Sequence, residues 1–213
     1  MFEARSTVAL AAVAVLAASG CQTLPESGVA RGEVLFQNCA PCHGADGNGS
    51  TLVWAPQIAG LPAWYVETQL THFQNGLRGA HPDDVEGLKM RPMSRTIKSE
   101  ADNKVVAEYV ATLPHARNGA SVTGDAAKGQ AAYGVCTACH GPDGAGNEAL
   151  KAPPIRQLDD WYVVKQLGKF KGGLRGYDGA DTSGSQMAGI AKGVADEQTM
   201  RDLAAYLQTL PAQ

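Results

Sequence analysis

The chain reads as all-α, two tandem small helical domains within 213 residues. Three observations predict this. The two halves register on one another without a gap at a shift of 97 positions, apolar residues recur at helical spacing with little strand-like alternation, and each half is small for a self-sufficient core. The charge balance is mild, 18 Lys and Arg against 21 Asp and Glu, with no basic run that could track a phosphate backbone. Nucleic acid is therefore not an expected partner.

The N-terminus separates from the fold. Val8 to Ala18 is a short run of Ala, Val and Leu behind the single basic residue Arg5, too short to span a bilayer. Residues 1–20 read as a signal peptide, which places the mature chain on the periplasmic side of the membrane. The run ends in small residues leading to Cys21, an arrangement that resembles the bacterial lipoprotein box, with Ala18 where Leu is usual. That resemblance implies acylation of Cys21 and a membrane anchor. The alternative is an ordinary cleavage site with Cys21 an incidental thiol. Residues 21–27 would then be an N-terminal tether.

The first domain is expected over 28–114 and the second over 125–213, joined by a linker over 115–124 rich in Asn, Gly, Ser and Thr. The repeat pairs Trp64-Tyr65-Val66 with Trp161-Tyr162-Val163, Leu77-Arg78-Gly79 with Leu174-Arg175-Gly176, and Leu113-Pro114 with Leu210-Pro211. Gly32 and Phe36, like Gly129 and Tyr133, lie a turn apart on the first helix of each unit. These glycines are expected to let that helix cross the last one closely, with Tyr109 and Tyr206 nearby. Trp64–Phe73 and Trp161–Phe170 signal a further helix each. The last helices start at Ser99-x-x-Asp102, which resembles a capping box, and at Asp196; Pro114 and Pro211 stop them.

Four of the five cysteines form two Cys-x-x-Cys-His units, Cys39, Cys42 and His43, then Cys136, Cys139 and His140. Two thiols at that spacing can form thioethers to the two vinyl groups of one haem, with the histidine as proximal iron ligand. Two covalently bound haem c groups are thus expected, and each supplies the apolar centre its small domain lacks. The rival readings are zinc, which would need a further matched pair of ligands, and a redox dithiol, which expects a strand–helix context.

Met90 and Met187 are the only methionines at matching positions in the two units, and are expected to be the sixth ligands. Iron held by His43 and Met90, and by His140 and Met187, is closed to substrate and fit for electron transfer. Met93 is the rival in the first unit, but its counterpart is Ile190, which cannot ligate. Met93 and Met200 then read as core filler. His72, His81 and His115 have no histidine counterpart and read as surface residues. Gln69, Gln166, Arg78 and Arg175 recur in both units and have three readings: hydrogen bonds to haem propionates, support for a glycine-rich loop carrying the methionine, or solvated surface.

On these residues, with Asp46-Gly47-Asn48-Gly49, Pro56-Gln57-Ile58-Ala59-Gly60, Asp143-Gly144 and Pro153, the chain resembles a tandem diheme class I cytochrome c of the cytochrome c4 type. The resemblance covers nearly all of the mature chain. It implies that the carbonyls of Pro56 and Pro153 accept the proton of the proximal imidazoles, which would fix ring orientation. The second unit departs from the family loop, having Pro153-Pro154-Ile155-Arg156-Gln157 where the first has the Ala-Gly ending. The expected function is single-electron transfer between redox proteins such as a quinol-oxidising complex, a dehydrogenase or a terminal oxidase. A fixed haem-bearing subunit of a membrane-associated complex and a diheme peroxidase are the alternatives; the matched methionines weigh against the latter.

Overall fold

A computed structural model describes residues 24–211. The expected signal peptide over residues 1–20 and Cys21 lie outside the described residues. The first unit comprises α1 (Gly28–Phe36), α2 (Ala40–His43), α3 (Ala63–Asn75), α4 (Val85–Ser94) and α5 (Glu100–Thr112). The second comprises α6 (Ala126–Ala132), α7 (Thr137–His140), α8 (Asp160–Lys171), α9 (Thr182–Lys192) and α10 (Glu197–Thr209). Among the described residues β structure is confined to two isolated bridges, Ser50 with Ala55 and Asn147 with Ala152, and no helix is long and apolar enough to cross a membrane.

Helix α1 packs on α5 and α3 on α5, a pattern that α6, α8 and α10 repeat. Phe36, Leu61, Val66, Leu70, Ile97, Val106 and Val110 make the first core; Tyr133, Val163, Val194, Met200, Leu203 and Leu207 make the second. Met200 is therefore core filler, as its sequence position implied. Met93 is not: it is 42 % exposed.

The glycine crossing takes the expected form. A Cβ built on Gly32 would lie 2.0 Å from the Val105 carbonyl oxygen and 2.8 Å from Tyr109 Cβ; on Gly129 it would lie 1.9 Å from the Asp202 oxygen and 2.9 Å from Tyr206 Cβ. The aromatic pairs Phe36–Tyr109 and Tyr133–Tyr206, each with ring centroids 5.3 Å apart, close the two crossings. Since the obstructing atoms are backbone, neither helix can accommodate a methyl group without moving. Gly129→Ala is expected to lower stability by roughly 1–3 kcal/mol through overpacking, despite the better helix former. Gly168, inside α8 with nothing within 4 Å of a built Cβ, is the control; Gly168→Ala should instead add up to about 1 kcal/mol. Thermal unfolding followed by circular dichroism measures both, and an equal sign for the two changes would refute the close-crossing argument.

Two local expectations are corrected. Ser99 accepts from the Asp102 amide at 3.0 Å, but the Asp102 carboxylate takes Arg31 Nε at 3.1 Å rather than returning to the cap, so the box is half formed. Met90 and Met187 sit on helices α4 and α9, not on a glycine-rich loop. Asp84 and Asp181 start these helices by accepting from the Gly87 and Gly184 amides at 3.0 and 2.8 Å. The 115–124 linker, without helix as expected, is tied down. Arg117 donates to the carbonyls of Gln208, Leu210 and Arg156, and Asp160 accepts from Ser121 and Val122.

Candidate haem sites

A cavity opens beside each CysXXCysHis segment, of about 190 Å³ in the first unit and 180 Å³ in the second. Short helix α2 brings Cys39, Cys42 and His43 to one wall, and α4 brings Met90 to the lining of the same cavity. In the second unit α7 brings Cys136, Cys139 and His140, and α9 brings Met187. The sequence-predicted ligand sets are thus gathered cavity by cavity. Met93 and its counterpart Ile190 also line the cavities, on the outer, exposed side of their helices.

The histidines are held in one orientation. Gly49 and Gly146, both at φ +82°, donate to the His43 and His140 carbonyls at 2.7 and 2.9 Å, and a Cβ on either would strike the Ala55–Gln57 or Ala152–Pro154 backbone at 2.5–2.8 Å. That tight loop sets the Pro56 carbonyl 2.8 Å from His43 Nδ1 and the Pro153 carbonyl 2.8 Å from His140 Nδ1. An Nδ1–H donated to a carbonyl leaves Nε2 with its lone pair available for a metal. Burial lowers the pKa of both rings, only partly offset by these hydrogen bonds, so both stay neutral as ligation requires.

The thiols are poorly suited to dithiol redox chemistry. Burial, with Cys42 beside it, pushes Cys39 up to about 11, and Cys136 is raised for the same reasons. A reactive Cys-x-x-Cys pair needs the opposite shift.

The repeated polar residues occupy a place sequence reasoning missed: they form the wall between the two cavities. Arg78 and Arg175 are 7 % exposed, which excludes the solvated reading. Arg78 donates to Gln69 Oε1 at 2.6 Å, Tyr162 Oη at 2.8 Å and Gln166 Oε1 at 3.3 Å. Arg175 donates to Gln166 Oε1 at 2.8 Å, Gln69 Oε1 at 2.9 Å and Tyr65 Oη at 3.3 Å. Each glutamine oxygen thus accepts from the arginine of its own unit and from that of the other. Tyr65, Gln69, Tyr162 and Gln166 line both cavities, while Arg78 lines the first and Arg175 the second. Two buried guanidinium ions bonded only to neutral groups are costly, and their field outweighs the burial that would raise Tyr162, lowering its pKa. Anionic groups entering from the cavities would offset that cost. Haem brings two propionates per ring, so this wall, the CysXXCysHis helices and the facing methionines together fit one haem per cavity.

Around this centre the unit contact is asymmetric. Lys169 reaches Asp84 at 2.5 Å and Glu86 at 2.7 Å, and Lys165 also binds Glu86. The matching contact across the pseudo-two-fold is only His72 Nδ1 at 3.5 Å from Asp181. His72 therefore faces the other unit rather than solvent. His115, half-buried, lies 3.1 Å from the Gln157 carbonyl, and His81 half-buried beside Asp83 and Tyr177. Trp54 stacks edge-on against Trp161 of the second unit, with Lys165 4.4 Å over its ring. In the divergent second loop Arg156 pairs with Asp143 at 2.9 Å, where the first unit has buried Ala59.

Comparison with known proteins agrees with this geometry. The cytochrome c family profile matches twice, over residues 29–114 and 126–211. A thiosulfate dehydrogenase electron acceptor of Stutzerimonas stutzeri (strain A1501) is 31 % identical over 75 % of this chain and 73 % of its own length. Cytochrome c4 of Stutzerimonas stutzeri is 30 % identical over 81 % and 84 %. The crystal structure of reduced recombinant cytochrome c4 from Pseudomonas stutzeri superposes with a TM-score of 0.68 at 28 % identity, covering 87 % of this chain and all of that one.

Proposed function

The chain belongs to the cytochrome c family, as a diheme electron-transfer cytochrome with a covalent haem c in each unit, and from that premise we propose that it relays single electrons between a dehydrogenase and an oxidising partner at the periplasmic face of a membrane. When bound, haem supplies each unit with a one-electron ferric/ferrous couple. Cys39 and Cys42, then Cys136 and Cys139, would fix it covalently. His43 and Met90 would hold one iron, and His140 and Met187 the other. Iron held by two side chains in each unit would be closed to substrate and suited to passing single electrons.

The observation that supports the relay best is the shared wall: Tyr65, Gln69, Leu158, Tyr162 and Gln166 line both cavities, so a single layer of side chains lies between them. Arg78 and Arg175 would hold the propionates there, on the wall the two units share. The similarity to a thiosulfate dehydrogenase electron acceptor supports a dehydrogenase as donor. An optical redox titration is expected to give two one-electron steps, with the far-red methionine–iron band present at two equivalents. Carbon monoxide added to the reduced protein should scarcely alter its spectrum. A high-spin haem at neutral pH, or rapid uptake of carbon monoxide, would mean an open site and a catalytic role.

Acylation of Cys21 would keep the relay at the membrane, provided that it carries more than one chain. Cys21→Ser is expected to shift the holoprotein from the membrane to the soluble fraction on cell fractionation; an unchanged distribution rules the anchor out.

A further inference from the structure

Helix α4 differs from its twin α9 in a way the haem chemistry does not use. From Gly87 to Lys98 the first unit carries Lys89, Arg91, Arg95 and Lys98 and no acid, whereas the matching segment from Gly184 to Ala195 carries Lys192 alone. The same helix turns Val85, Leu88 and Met93 outward, at 56, 39 and 42 % exposed, with Lys89 and Pro92 exposed beside them. The spacing 85, 88, 89, 92, 93 puts all five on one face. In α9 those positions are Thr182, Ser185, Gln186, Gly189 and Ile190, a largely polar and uncharged face. Lys89 and Met93 also line the first cavity, so the apolar face reaches the rim of the haem site.

Among the described residues none of these four cations is in an ion pair. Arg95 donates to the Gln74 carbonyl and Lys98 to the Arg95 carbonyl, both uncharged acceptors. Glu86, the one acid on α4, is bound by Lys165 and Lys169. Asp83, just before the helix, faces His81 at 3.9 Å. The cationic rim therefore stands out on a protein whose formal net charge is −3.

We propose that this face of α4 is the docking site for an acidic redox protein, which makes the first unit the port for that partner. An acidic protein approaching a chain of net negative charge is steered toward this basic face. Contact there places it against the rim of the first cavity. A small apolar centre ringed by cations gives orientation and fast encounter without the large buried area that would slow release. Helix α9 lacks the cationic rim and has Ile190 as the one large apolar side chain on its matching face, so the second unit is left to serve a partner of different surface chemistry.

The inference rests on the electron-carrier reading, and its test separates the two. Plastocyanin, an acidic blue-copper protein, serves as the probe, and its reduction by the fully reduced holoprotein is followed by stopped flow at low ionic strength. K89E/K98E is expected to lower the second-order rate about tenfold. K128E/K192E, the same charge change placed on exposed positions of the second unit, is expected to stay within about twofold of the parent. The difference should vanish at high salt. Spectra and potentials of both variants are recorded first; a defect there counts against the carrier reading instead. Equal slowing by the two variants means that net charge alone matters and overturns the docking face, as does no slowing by K89E/K98E. Binding of the parent, but not of K89E/K98E, to phosphatidylglycerol vesicles would assign the patch to a lipid surface and overturn the proposal as well.

Discussion

Met90→Ala is expected to open the first haem site and Met93→Ala to leave it closed. Both thioethers line the cavity, so lining alone does not separate them. Packing does. Met90 is half-buried against the core that holds Phe36 and Leu70, whereas Met93 is 42 % exposed on the outer face of the helix. A ligand must be held where the metal needs it, and a side chain free to sample solvent loses rotamer entropy on coordination. The repeat agrees, because Met187 matches Met90 and packs against buried Phe170 and Ala188, while Ile190 matches Met93. In Met90→Ala the far-red band should fall to about half, one haem should turn high-spin and bind carbon monoxide, and its potential should shift away from the His/Met range. Loss of the band in Met93→Ala alone would reverse the assignment.

Most of the single-unit architecture is legible in the chain because it is written locally. The gapless shift exposes the duplication, the CysXXCysHis spacing specifies the chemistry, and Gly32 and Gly129 mark the helix crossings. The relation between the units is not written that way. Gln69 and Arg78 recur nine residues apart in each unit, a pattern equally at home on a solvated helix and turn. Nothing in one copy says that it faces the other copy, so their bonds across the pseudo-two-fold emerge only in three dimensions. Helices α4 and α9 were missed for a different reason. Pro92, the serines and glycines of 182–189 and the charges of 86–91 hide their periodicity, although Asp84-x-x-Gly87 and Asp181-x-x-Gly184 carry a readable cap spacing. His72 reads as surface because its partner, Asp181, lies more than a hundred residues away.

Lys169→Met should be the most destabilising change at the contact between units. Asp84 has 3 % of its side chain exposed, and of its two bonds one goes to the Gly87 amide and the other to Lys169, itself 12 % exposed. Removing the lysine leaves a buried carboxylate without a counter-ion, a change that costs roughly 3–5 kcal/mol. Lys165→Met touches only Glu86, which keeps Lys169 and a quarter of its surface in water, so a loss of about 0–1 kcal/mol is expected there. Pairing Lys169→Met with Asp84→Asn should recover part of the loss, since no charge is then stranded. Urea unfolding followed by circular dichroism measures all three, and equal losses for the two lysine changes would contradict the argument. Acid probes the same cluster from the other side. Burial works against ionisation of Glu86, but Lys165 and Lys169 outweigh it and hold the carboxyl at about 2, against an ordinary 4.5. A depressed pKa stabilises the fold above the ordinary value and loses that contribution as the pH falls from 4.5 toward 2. The parent should therefore lose stability through that window more steeply than Glu86→Gln. An identical acid limb in the two proteins would show that the lysines do not act on Glu86 in solution.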